Sequence, residues 1–73
     1  MLPVRRLFTP AQKLLILHRA NHRCEICSTP LSQENFEADH KIAYSNGGAT
    51  QVWNALALCR DCNRRKSDRS YQL

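Results

Sequence analysis

The 73 residues allow one small domain. Apolar residues at 42% and charged residues at 23% exclude a disordered chain, and the longest apolar run, Leu14 to Leu17, is far short of the roughly 20 residues of a membrane span. Eleven Lys and Arg against six Asp and Glu leave a formal charge of +5, and the basic cluster in residues 60–69 suggests a polyanionic partner or, on charge alone equally, a solvated helix face.

Residues 1–8 read as a lead-in to the folded unit. Arg5 and Arg6 precede neither an apolar h-region nor a small-residue cleavage site, so no signal peptide is read here. The expected compartment is the cytoplasm, where paired cysteines hold metal more often than they form disulfides. Thr9 is a good N-cap, Pro10 suits the first helical position, and Gln12 completes a capping box. A helix is predicted from Pro10 to Ala20, within a unit spanning 9–21, with Asn21 as a left-handed terminator. Leu14 and Leu17 would form its inner face, with Ala11, Leu15 and Ala20 nearby.

The remainder, 22–70, reads as the core of the same single domain, 9–73. Cys24-Glu25-Ile26-Cys27 comes first, and Ser28-Thr29-Pro30 is a turn. Residues 35–42 alternate loosely and predict a strand. Ser45-Asn46-Gly47-Gly48 is a turn or loop signal. Residues 51–54 predict a short helical turn, and Ala55 to Leu58 a second strand. Cys59-Arg60-Asp61-Cys62 is a second knuckle. A last helix is predicted from near Cys62 to about Ser70. Phe36 and Trp53 are expected in the core, because so small a domain needs its large apolar groups.

The two C-x-x-C pairs are the sharpest feature. Each can wrap a tight knuckle with both sulfurs aimed at one ion, and two knuckles make a closed four-cysteine zinc site. The 31 residues between Cys27 and Cys59 exceed the usual short ribbon gap, so the insert must hold structure of its own. Two disulfides or a redox C-x-x-C are the rival readings. The first needs an oxidising compartment, and the second needs only one pair. Structural zinc contributes about 10–16 kcal/mol in finger peptides, comparable to the net stability of a whole domain. The metal-free chain is therefore expected to be largely unfolded. Four thiolates leave no open coordination position, so this zinc would do no chemistry.

A second constellation lies outside the knuckles. Asp39-His40 ends the first predicted strand, Asn54 precedes the second, and Asn63 follows Cys62 directly. Asp39 and Asn63 offer hard oxygen ligands suited to Mg or Mn, and His40, beside Asp39, could act as a base. Each residue alone has a plainer reading: a surface Asp-His pair, a capping Asn54, an N-cap Asn63. His18 and His22 read as helix-surface or linker residues, with His22 a minor rival ligand beside Cys24. Tyr44 reads as a loop residue.

Cys24-x-x-Cys27, Glu37-x-Asp39-His40, Gly47-Gly48, Asn54-Ala55-Leu56 and Cys59-x-x-Cys62-Asn63-x-x-Lys66, in that order, resemble the HNH (His-Asn-His) endonucleases, the zinc-knuckle branch of the ββα-metal nucleases. The resemblance spans about 23–66 and does not cover residues 1–22. It implies an α+β fold: a small zinc-stapled ββα-metal domain with an N-terminal helix. It implies metal-dependent hydrolysis of DNA phosphodiesters with two ions, a structural Zn2+ and a catalytic Mg2+ or Mn2+. By position, Asp39 would be a metal ligand, His40 the general base that activates water, and Asn54 the brace of the loop carrying His40. Asn63 stands where the family often has a third His, a departure that still offers an oxygen ligand. Glu37, on the strand face of Asp39, could support the metal or water shell.

Arg60, Arg64, Arg65, Lys66 and Arg69 form a basic cluster that could contact phosphates. Nothing accompanies them that reads bases, so nicking of duplex DNA with little sequence preference is the expected activity. One site per chain cuts one strand per visit, by a monomer or a weak dimer. The chain could stand alone or belong to a larger nuclease. A zinc module that only binds nucleic acid, or a recruitment module with no DNA affinity, are the competing readings. Loss of activity on substituting Asp39, His40 and Asn63 discriminates the enzyme from both.

Overall fold

The computed structural model describes residues 7–67 and 69–70. The element order is helix α1 (Pro10–Arg19), strand β1 (Phe36–His40), strand β2 (Ala55–Cys59) and helix α2 (Arg60–Lys66), with single 3-10 turns at Tyr44–Asn46 and Val52–Asn54. This is the α+β arrangement expected, with the four cysteines gathered in one cluster.

α1 begins as its sequence dictates. The Thr9 side chain accepts from the Gln12 backbone at 3.1 Å, and the Gln12 side chain accepts from the Thr9 N–H at 2.9 Å. The reciprocal pair satisfies two donors that a helix start otherwise leaves open. The helix ends at Ala20, where Asn21 and His22 both turn left-handed, at φ 57° and 56°.

The inner face of α1 differs from the expected one. Ile16 and Leu17 are fully buried, whereas Leu14 and Leu15 are half exposed. A clamp joins helix and sheet. The Arg19 guanidinium donates to the carbonyls of Val52 and Ala55, each at 2.7 Å. These bonds hold the end of α1 against the 3-10 turn and β2 with Ile16 beside the expected Leu17 facing inward.

β1 and β2 pair antiparallel, with Phe36 opposite Cys59, Ala38 opposite Ala57 and His40 opposite Ala55. From Ala55 to Leu58 every residue of β2 is buried. The strand is covered by α1 and α2, so both its faces are apolar and its sequence reads as a run rather than an alternation. Its outer edge is also covered. Glu25 donates its N–H to the Ala57 carbonyl at 2.9 Å and accepts the Ala57 N–H on its carboxylate at 2.6 Å. The first knuckle thus closes an edge that would otherwise stay open to pairing.

Two further expectations are corrected. α2 starts at Arg60, two residues before Cys62, because Cys59 is its N-cap and the Cys59 sulfur accepts the Cys62 N–H at 3.4 Å. It stops at Lys66, where Ser67 turns to φ 54°, rather than running to Ser70. Asp68 and residues 1–6 lie outside the described residues, as do Arg5 and Arg6 with them. Trp53 is 71% exposed, not core. Its neighbour Asn54 points inward, and Ile16, Leu17, Leu56 and Leu58 already fill the interior. Phe36 is half-buried against that core, and Phe8, placed at the end of the lead-in, is buried in it.

Candidate active site and metal centre

The first knuckle is a closed turn. Arg23 and Pro30 bridge across it, Cys24 donates its N–H to Thr29 at 2.8 Å, and Ser28 donates to the Cys24 carbonyl at 2.9 Å. Ser28 holds φ 67° to make the bend. The second knuckle is the start of α2. Between them the four Sγ atoms of Cys24, Cys27, Cys59 and Cys62 lie within 4.8 Å of one another, and Cys27 and Cys59 are 3.6 Å apart. A tetrahedral zinc with bonds of about 2.3 Å needs sulfurs about 3.8 Å apart, so this donor set fits the ion in both chemistry and spacing. All four cysteines are free thiols. His22 is exposed and outside the cluster.

The thiols differ in acidity. The Thr29 hydroxyl, 3.0 Å from the Cys27 sulfur, and the Thr29 backbone lower the Cys27 thiol to about 6. Burial pushes the Cys62 thiol up, and its sulfur neighbours push it the same way. Binding a metal here would have to expel a proton from Cys62, which resists its loss more than Cys27 does.

The second constellation gathers at an open cleft of about 430 Å³, whose walls include Asp39, His40, Tyr44, Asn63 and Lys66. β1 delivers Asp39 and His40 at its end, and the first turns of α2 deliver Asn63. The four-cysteine cluster brings the start of that helix against the first knuckle, so an ion held there would position one wall of the cleft. Asp39 is held by its own chain: its Oδ1 accepts the His40 backbone N–H at 2.8 Å. Its Oδ2 faces the Lys66 ammonium at 2.9 Å. A carboxylate paired with a cation beside an open cleft that an amide side chain also lines offers hard oxygen donors of the kind a divalent ion takes.

His40 is 7% exposed. Its Nε2 lies 2.9 Å from the Thr50 hydroxyl, and its ring stacks obliquely on Phe8 at 4.9 Å and meets Tyr44 edge-on at 5.7 Å. These neighbours fix the ring plane. Thr50 and Phe8 were not singled out in the sequence, and nothing in their local pattern marks them. Thr50 follows an ordinary loop, and Phe8 precedes the capping residue.

Asn54 is 2% exposed and does not line the cleft. Its Oδ1 accepts the Ile42 N–H at 2.9 Å, and its Nδ2 donates to the carbonyls of Ile42 at 3.1 Å and Ala49 at 2.9 Å. It is the brace of the loop that leaves His40, a positioning residue. Gly48 sits where that loop closes: a Cβ there would fall 1.7 Å from the Ile42 carbonyl oxygen. Gly47 beside it takes the left-handed turn at φ 86°.

Glu37 is exposed on β1 and borders a neighbouring hollow that also reaches Asn63. Of the basic cluster, Arg60, Arg64, Arg65 and Arg69 are exposed. Lys66 is not: it is buried, and its ammonium is committed to Asp39. Among the described residues, no helix is long and apolar enough to cross a membrane.

The sequence model of one family, HNH endonuclease, matches residues 24–69, well over half the chain. A protein described as the CRISPR-associated endonuclease Cas9 of Corynebacterium diphtheriae is 29% identical over 58 residues. That match covers 78% of this chain and 5% of the relative, so the chain spans a small fraction of the protein it resembles.

Proposed function

The chain belongs to the HNH endonuclease family, and we propose that it is a metal-dependent endonuclease that nicks duplex DNA with little sequence preference of its own. The observation that carries this reading is the convergence of Asp39, His40 and Asn63 on one open cleft, with an Asp39 oxygen facing a cation.

Each residue has work to do there. Asp39 and Asn63 would hold a Mg2+ or Mn2+ ion. The ion supplies positive charge to the phosphate and to the departing oxygen. His40 accepts a proton from the attacking water. Such proton transfer to a positioned imidazole is the usual work of a general base. Asn54 keeps the loop after His40 in place and touches no substrate. The zinc of Cys24, Cys27, Cys59 and Cys62 is structural, because four sulfurs fill its coordination shell. Arg60, Arg64, Arg65 and Arg69 contact phosphates without reading bases.

Plasmid nicking by the zinc-loaded protein tests this. Supercoiled DNA is expected to become open circle only when Mg2+ or Mn2+ is added. His40→Ala is expected to lower the rate by about 10²-fold or more, with zinc content and circular dichroism unchanged. Full activity of that variant would remove His40 from its role. No cutting by the unmutated protein, with DNA still retarded on a gel, would leave a binding module instead.

A further inference from the structure

The Lys66 side chain is 3% exposed and that of Asp39 is 20% exposed. Their ion pair, at 2.9 Å, is the sole polar contact found for Lys66 Nζ or Asp39 Oδ2 among the described residues. An ammonium has three donors, and a carboxylate oxygen has more than one lone pair. A buried ion pair built for stability uses those remaining sites, since the desolvation of two charges is otherwise poorly offset. This one leaves them unused. Both atoms are buried, at residues that line the cleft, and the other Asp39 oxygen is held by the His40 N–H.

We propose that Lys66 is an exchangeable counter-ion: its ammonium holds the place of the divalent ion at Asp39 and is displaced when that ion binds. The inference rests on the reading of Asp39 as a metal ligand. A divalent ion on Oδ2 and an ammonium 2.9 Å from the same atom would sit within a few ångströms of each other. Their repulsion in a partly buried cleft is too large for both to stay. At rest the pair is neutral, so Asp39 is not left as an unpaired, half-buried charge. After exchange the cleft carries the ion's charge and the released ammonium on the same wall. Both then face the place where a phosphate would enter.

Mn2+ titration of the zinc-loaded protein tests the exchange, with free Mn2+ counted by electron paramagnetic resonance. Lys66→Gln removes the competitor and is expected to tighten Mn2+ binding roughly tenfold or more. The same variant is expected to melt lower than the unmutated protein without Mn2+ and to regain much of the difference when Mn2+ is added. Asp39→Ala is expected to abolish the binding in either background. Acetylation of lysines, read by mass spectrometry on the unmutated protein, needs no variant to fold. Lys66 is expected to be protected without Mg2+ and modified with it, while the exposed Lys13 reacts equally in both.

Equal Mn2+ affinity with and without Lys66, or a Lys66 that stays protected at saturating Mg2+, would make the pair a structural anchor and overturn the proposal. The nuclease reading would survive that result. If Mn2+ binds nowhere that depends on Asp39, the metal-ligand reading falls and the exchange falls with it.

Discussion

Asn54 spends every polar atom of its side chain on backbone. It satisfies the Ile42 N–H and the carbonyls of Ile42 and Ala49 from a fully buried position. Each group orphaned in such a place costs about 1–3 kcal/mol. Asn54→Ala is therefore expected to lower unfolding free energy by about 3 kcal/mol or more, measured by denaturant titration of the zinc-loaded protein. It is also expected to lower nicking, because the loop from Ile42 to Thr50 carries the hydroxyl that meets His40. Asn54→Asp would keep the acceptor and lose the two donor bonds, so an effect as small as that of a surface substitution would contradict the bracing role. At the same scale His40 shows what a motif leaves out. Its identity was legible beside Asp39, but the partners that fix its ring, Phe8, Tyr44 and Thr50, come from three separate stretches of chain.

The two knuckles are the elements that stability hangs on. α2 has two turns and is too short to persist by propensity alone. Cys59 caps it, Asp61 sits in its first turn, and Arg64, Arg65 and Lys66 sit in its last, all in accord with the helix dipole. A zinc ion held by the four cysteines would fasten its start to the first knuckle. Removal of zinc by a strong chelator is expected to collapse the far-ultraviolet circular dichroism, and an unchanged spectrum would contradict the role of the metal. Acid is expected to do the same. The Cys27 thiol is depressed to about 6 from an ordinary value of 9.0, with the Thr29 hydroxyl as the largest cause. A depressed group adds stability that is fully present above its unfolded value and is lost as pH falls through the folded one. Zinc release, followed with a chromophoric indicator, is thus expected to rise as pH falls, because protons compete with the ion for the thiolates, and to take up more than one proton per ion. Release that is flat from pH 7 to pH 4 would contradict this.

Charge is a property of the whole molecule. The formal +5 falls to about +3 once four thiolates hold one zinc ion. The exposed cations available to DNA on and just after α2 are Arg60, Arg64, Arg65 and Arg69, since Lys66 faces inward. Each phosphate contact adds about −0.9 to the slope of log affinity against log salt. A slope of about −3 to −4 is expected if all four engage, and Arg64→Ala and Arg65→Ala are each expected to reduce it by about 1. A slope near zero in fluorescence anisotropy would remove this face from DNA binding. Lys66→Ala, by contrast, is expected to leave the slope near that of the unmutated protein when no divalent ion is present.

Local chemistry made several elements legible in advance. The capping box at Thr9 and Gln12, the two C-x-x-C turns, the Gly47-Gly48 bend and the apolar run from Ala55 to Leu58 each state their structure within a few residues, because caps, turns and knuckles are made by near neighbours. The order of Asp39-His40, Asn54 and Asn63 between and beside the knuckles was enough to place the chain in its family. Facing and burial were not legible. Ile16 rather than Leu14 points inward, in a helix whose end Arg19 holds to carbonyls 33 and 36 residues away. Trp53 lies outside because its neighbour Asn54 is needed inside. Lys66 reads in the sequence as one cation of a basic run, yet in the fold it is the partner of Asp39. Composition and spacing name the donors of a site, whereas the side of a helix or strand each donor faces depends on contacts between distant segments, and only the assembled core decides them.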